Sequence, residues 1–183
     1  MHTHPTTNRT DRGLLSLPYL AAYASVVFAG AIFGFFYAWV CSTMWGLDAA
    51  DPRVAIQAMQ EMNASVRNAA FFPAFFLTPF VLGATALLAR HAQRPLAAML
   101  FGVAALVYLV GGMALTGLIN VPMNEDLAAT AVPDGIGDAA QVWDDYSGRW
   151  QLFNVLRTVA SAISLLLAAV GLAALGRPPS AQS

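Results

Sequence analysis

The chain has no lysine, a single cysteine (Cys41) and three histidines (His2, His4 and His91), and charged residues fill only 10% of its 183 positions. Each shortage excludes a class of function. One cysteine cannot form an internal disulfide or a cysteine-rich zinc site. No histidine lies in the middle of an apolar run, so an intramembrane haem lacks an axial ligand and an electron carrier of haem or quinone type is disfavoured. Nine arginines against ten acids leave a net charge of −1, without the basic surplus that would suggest a nucleic-acid partner. Soluble domains carry about 25% charged and 45–50% apolar residues, whereas this chain is 58% hydrophobic. An integral membrane protein is expected, with the lipid bilayer as its first partner.

What is present is apolar sequence in four stretches, each long enough to cross about 30 Å of hydrocarbon, which takes about 20 helical residues. They run roughly over 19–45, 69–89, 96–119 and 153–175, within one membrane domain (19–176) flanked by tails at 1–18 and 177–183. The first is too long for the roughly 7–15-residue core of a signal peptide, and the bulky Trp39 and Val40 before Cys41 fit a lipoprotein cleavage site poorly. It is expected to be an uncleaved anchor. Arg9, Arg12, Arg90, His91, Arg94 and Arg177 fall on one side with a single acid, Asp11. The other side collects the remaining nine acids, from Asp48 to Asp145. The positive-inside rule then places both termini in the cytoplasm and the two longer loops outside. The expected fold is all-α: a four-helix transmembrane bundle with short amphipathic helices before the second and fourth spans on the outer side. Spans two and three are expected to be antiparallel neighbours across the short turn at 91–94.

Local signals refine this outline. Gly30 and Gly34, continued through Tyr37, Cys41 and Met44, predict a close-packing seam on the first span. Asp51-Pro52 is an N-cap followed by proline at the first helical position. It opens an amphipathic helix expected to run on into the second span, with Gln60, Asn63 and Arg67 lying either at the bilayer surface or at the bundle mouth. Pro73 and Pro79 predict kinks. In the third span Gly112, Thr116 and Asn120 recur every four residues, and Pro122 predicts a helix break beyond them. Asn120 and Asn124 there either cap that break or form a wall of a polar site. Asp138 is expected to cap the last helix.

The richest stretch leads into the fourth span. Trp143, Tyr146, Trp150, Asn154, Arg157, Ser161 and Ser164 recur every three or four positions, so a continuous helix carries them on one face. The aromatic members fit either an interfacial belt or the lining of a pocket. An arginine at mid-membrane costs about 2.5–3.5 kcal/mol on insertion scales. Arg157 therefore either snorkels or pairs for structure, or serves an anion-stabilising site.

Several pieces together resemble a known family: Phe33-Gly34-Phe35, Ala58-Met59-Gln60-Glu61-Met62-Asn63 with Arg67-Asn68, Asn120-Val121-Pro122-Met123-Asn124, and Trp143, Tyr146, Trp150, Asn154 and Arg157-Thr158. In this order and spacing the chain is similar, over roughly 30–175, to the small four-span proteins of the domain-of-unknown-function 1772 family, also called the anthrone oxygenase family. The resemblance implies a four-helix membrane bundle and, for some members, oxidation of an anthrone to an anthraquinone without a metal or flavin. Carried over, it makes this chain a cofactor-independent oxygenase of a flat, phenolic or anthrone-like small molecule bound in an outward-facing pocket. Arg157 and Asn154 would be the catalytic residues. Gln60, Asn63, Asn120, Asn124, Trp143, Tyr146 and Trp150 would bind substrate, and no metal or other cofactor is expected. Family members often carry histidine directly after the asparagine; Val155 stands there in this chain, so a base is sought among Glu61, Asp144 and Asp145. The alternative is a non-catalytic bundle that binds a lipid or small apolar ligand, or stabilises a partner complex.

Overall fold

The computed structural model describes residues 16–176; the tail arginines Arg9, Arg12 and Arg177 lie outside the described residues. Helix α1 spans Leu17–Asp48 and contains a widened π-helical turn at Trp39–Thr43. Helix α2 spans Pro52–Ser65, α3 Phe71–His91, α4 Pro95–Ala129 and α5 Ile136–Leu175. All but α2 are long and apolar enough to cross a membrane. Helix α1 packs on α3 and α5, and α4 also packs on α3 and α5, closing a four-membered ring of membrane spans. The protein is thus an all-α, integral membrane four-helix bundle.

Asp51 caps α2 by accepting the Arg53 N–H at 3.0 Å, with Pro52 beside it at the helix start. The Arg53 guanidinium returns to the same carboxylate at 2.6 Å, and these hydrogen bonds hold the Asp51 carboxyl below its ordinary range. Helix α2 buries Ala55, Ile56, Met59 and Asn63 but does not run on into the second span as expected. Asn68 stops it: its side-chain oxygen accepts the N–H groups of Ala70 (2.9 Å) and Phe71 (3.0 Å), turning the chain and starting α3 afresh.

The three prolines are accommodated in three different ways. Pro73 lies in the first turn of α3, where backbone N–H groups have no helical partner to lose. Pro79 lies inside α3 and withholds the bond that the Phe75 carbonyl four residues earlier would receive. The Tyr108 hydroxyl donates to that carbonyl at 2.9 Å instead. Pro122 does not break the third span. The preceding turn at Thr116–Asn120 is π-helical, Val121 N–H bonds Thr116 O, and Pro122 falls where a new α-helical stretch begins.

Three more expectations are corrected. No separate helix precedes the fourth span: α5 is continuous for 40 residues, about 60 Å, so roughly half of it extends past the hydrocarbon. Gly135, not Asp138, occupies its N-cap, and Asp138 sits in its first turn. The predicted Gly30–Gly34 seam is largely on the outside of the bundle, for Gly34, Tyr37 and Cys41 are exposed and only Met44 is buried. The buried face of α1 is instead Ala22, Ser25, Ala29, Ile32, Phe36 and Trp39. Close helix approach occurs between α4 and α5, where a Cβ on Gly111 would lie 2.5 Å from the Ala160 Cβ.

Spans α3 and α4 are antiparallel neighbours across the turn at 92–94, as the short loop implies. Gln93 takes a left-handed backbone (φ 58°), while Gln93 N–H bonds Arg90 O and Arg94 N–H bonds Ala89 O. This is a Schellman stop, built on a residue other than the usual glycine. Two apolar clusters fill the bundle. One, around Phe36, Leu82, Phe101 and Tyr108, fills the membrane spans. The other, around Trp39, Ile56, Met59, Trp143 and Trp150, joins α2 to the projecting part of α5.

Candidate functional site

The face of α5 anticipated from spacing is buried throughout: Trp143, Tyr146, Trp150, Asn154, Arg157, Ser161 and Ser164 all point inward. Arg157 lies where the two apolar clusters meet. It is only 4% exposed, and its guanidinium carbon sits 4.4 Å from the centre of the Phe36 ring and 4.9 Å from that of Trp150. Arg157 Nε donates to Asn154 Oδ1 at 3.0 Å, and Nη1 reaches Thr116 Oγ1 at 3.4 Å. Among the described residues the ion pairs are Arg53–Asp51 and Arg67–Glu125, so no carboxylate neutralises Arg157. Ring faces attract a desolvated cation by about 2 kcal/mol or more, which offsets much of the insertion cost without supplying a negative charge. The guanidinium is thus held in place without a carboxylate partner among the described residues.

A cavity of about 200 Å³ opens beside it. Its inner end is Arg157, Thr116 and Trp150, and its walls are aromatic, with Phe35, Phe36 and Trp39 from α1 and Phe71, Phe72, Phe75 and Phe76 from α3. Polar groups at the rim are Asn63, Arg67, Asn124 and Glu125. Phe72 and Phe76 are also 41% and 47% exposed on the flank of α3. A second cavity of about 480 Å³ lies behind the shared wall of Phe35, Trp39, Met62, Val66 and Phe71. The first is smaller than the roughly 300–1,000 Å³ common for drug-sized ligands; a tricyclic guest requires part of that wall to yield.

Asn63 lines the cavity, is 9% exposed, and its side chain adjoins the Tyr146 hydroxyl. Asn124 also lines it and accepts two bonds on one oxygen, from Tyr146 Oη and Trp150 Nε1, both at 2.8 Å. Asn154 does not reach the cavity wall. It donates to the Phe36 carbonyl at 3.2 Å and accepts from Arg157, so it holds the arginine in place. Asn120 is fully buried nearby, contacts the Trp150 carbonyl at 3.4 Å, and leaves its side-chain oxygen unpaired.

Gln60, Trp143 and Tyr146 do not line this cavity, although the Tyr146 hydroxyl holds the lining residue Asn124. Gln60 donates to the carbonyls of Leu127 (2.8 Å) and Thr130 (2.9 Å), tying α2 to the end of α4. Trp143 Nε1 and Gln151 Nε2 each donate to Asp48 at 2.9 Å and bind the end of α1 to α5. Tyr146 lines a separate surface groove. The three carboxylates considered as bases, Glu61, Asp144 and Asp145, are exposed and outside the cavity lining. Val155 is 42% exposed on the outer face of α5, so a histidine at that position would not point into this cavity.

Sequence reasoning missed the α1 and α3 aromatic walls, Thr116 as the arginine's partner, and Glu125 as a lining carboxylate. The aromatic walls sit in unbroken apolar runs without a polar marker. Thr116 carried a signal, the four-residue spacing with Asn120 that continues to Asn124. Neither a curated protein nor a solved structure matches the chain significantly. A profile of the anthrone oxygenase family matches residues 62–167, more than half of the chain and every cavity residue except those of α1. By that match the chain belongs to the anthrone oxygenase family.

Proposed function

We propose that the protein is a cofactor-independent oxygenase that oxidises a flat, phenolic or anthrone-like molecule bound in the cavity at Arg157. The observation that carries this reading is the buried guanidinium, fixed by Asn154 and two ring faces and lacking a carboxylate partner, at the inner end of an aromatic-walled cavity. Such a group favours the enolate form of an acidic carbonyl compound, because a fixed donor in a water-poor site stabilises developing negative charge without reorganisation. The enolate is electron-rich enough to pass an electron to oxygen. Combination of the two radicals and protonation yield a hydroperoxide at the former methylene carbon. Loss of water leaves a carbonyl there, so one oxygen atom enters the product and the other departs as water. Trp150 and the α1 and α3 phenylalanines would hold the rings, and Asn63 and Asn124 would meet the substrate's oxygens.

The turn bearing Arg90 and Arg94 lies at the end of the bundle opposite the cavity, and the positive-inside rule makes that end cytoplasmic. In this orientation the cavity mouth faces the outer leaflet. A second reading, a ligand-binding bundle without turnover, is favoured by the internal pairing of Gln60, Asn120, Trp143 and Asn154. Oxygen uptake by the purified protein with an anthrone, beside Arg157→Ala, separates the two. The oxygenase reading expects uptake above buffer for the native chain and loss in the variant. Background rates for both would end it for this substrate class, and equal rates above background would remove Arg157 from the mechanism.

A further inference from the structure

We infer that Glu125 is the proton acceptor of this site, an assignment that rests on the oxygenase reading. An enolate needs a base as well as an anion stabiliser, and Glu125 is the carboxylate among the cavity-lining residues. It gets there because α4 continues through Pro122 for two further turns, carrying Asn124 and Glu125 to the rim. Arg67, from the bend between α2 and α3, holds it across the mouth at 3.5 Å. The cavity therefore has a carboxylate at its rim and, at its inner end, a guanidinium with no carboxylate partner among the described residues. A ring system lying between them presents an acidic C–H or O–H to one and its carbonyl oxygen to the other.

The step balances simply. The substrate C–H bond breaks, its electron pair remains on the substrate as an enolate whose oxygen faces Arg157, and the proton forms an O–H bond on Glu125. The Glu125 side chain is 61% exposed, so it returns that proton to water before the next turnover. The step depends on Arg157 stabilising the enolate, so that the bound substrate gives up its proton more readily. Asp126, next in sequence, faces instead a surface groove that it shares with Asp145 and Arg149 of α5. None of these three lines the cavity.

Deuterium exchange tests the step without oxygen. The full-length protein in nanodiscs is mixed with an anthrone in deuterated buffer under nitrogen, and loss of the methylene proton is followed by NMR. Native protein should accelerate exchange over buffer. Glu125→Gln should lose about 100-fold or more of that acceleration, and its remaining rate should climb with base concentration. Glu61→Gln and Asp144→Asn should exchange like the native chain. If Glu125→Gln does not fold, Glu125→Asp, which keeps the base one methylene shorter, should retain measurable exchange. Equal exchange in the native and Gln variants, or no native acceleration, would each overturn the assignment. Exchange without oxygen uptake would refute the oxygenase reading while leaving Glu125 as the base.

Discussion

Replacing Arg157 by lysine keeps the positive charge and removes the geometry, so it asks which of the two the site uses. The guanidinium meets Asn154 through Nε at 3.0 Å and Thr116 through Nη1 at 3.4 Å while its plane lies between Phe36 and Trp150. A lysine has one nitrogen at the end of a flexible stem and cannot make these contacts together. Losing one well-formed hydrogen bond to a charged group costs about 1.5–3 kcal/mol. If about 2–3 kcal/mol of that appears in the transition state, kcat/KM falls roughly 30- to 160-fold, at tenfold per 1.36 kcal/mol. The assay is oxygen uptake at varied anthrone concentration, beside thermal unfolding of both proteins in the same detergent. Arg157→Lys should remain folded, since the charge stays between the same rings. Activity within threefold of native would refute the geometric role, and unfolding of the variant with its residual activity per folded molecule unchanged would make Arg157 a structural residue.

Other perturbations probe the frame that holds the site. Tyr108→Phe leaves the Phe75 carbonyl without a donor and should cost about 1–2 kcal/mol; adding Pro79→Ala restores a backbone N–H, so a double-mutant cycle should show the two changes compensating. Gly111→Ala places a methyl 2.5 Å from the Ala160 Cβ and should destabilise the bundle by about 1–3 kcal/mol, with recovery in the Gly111→Ala/Ala160→Gly pair measured by thermal unfolding. The Asp51 carboxyl is held below its ordinary range by Arg53, so the stabilisation from this contact is complete above the unfolded-state value and disappears as pH falls through the lower folded one. Hydrogen exchange at the start of α2 should quicken over that acidic window in the native protein and be insensitive to it in Asp51→Asn.

The membrane class, the number of spans and the inward face of α5 follow from the sequence alone, because each depends on composition or on a period within one helix. Arg157 could be singled out because a charge in an apolar run is costly wherever it finally sits. Which neighbours answer that charge could not be read in the same way. Phe36 and Trp150 lie 114 residues apart in the sequence and meet over one guanidinium only after four helices close into a ring. Asn154, expected to face a substrate, faces the arginine, and Val155, the position of a sought histidine, faces outward. Both differences are matters of rotation about a helix axis, set by packing.

The third span shows the same division. Tyr108, Gly112, Thr116, Asn120 and Asn124 are spaced by four, and in a regular α-helix of 3.6 residues per turn each step of four drifts about 40°, roughly 160° over the series. Asn124 would then face almost opposite Tyr108. The widened turns at Tyr108–Ala114 and Thr116–Asn120 take up an extra residue each, keeping Tyr108, Gly112, Thr116 and Asn120 buried and bringing Asn124 and Glu125 to the cavity. A polar series in one membrane helix and a costly arginine in the next can be read from residue order alone. Only the tertiary structure decided that the two meet, because the turn widening that aligns them is selected by packing between helices and leaves no periodic signature within either.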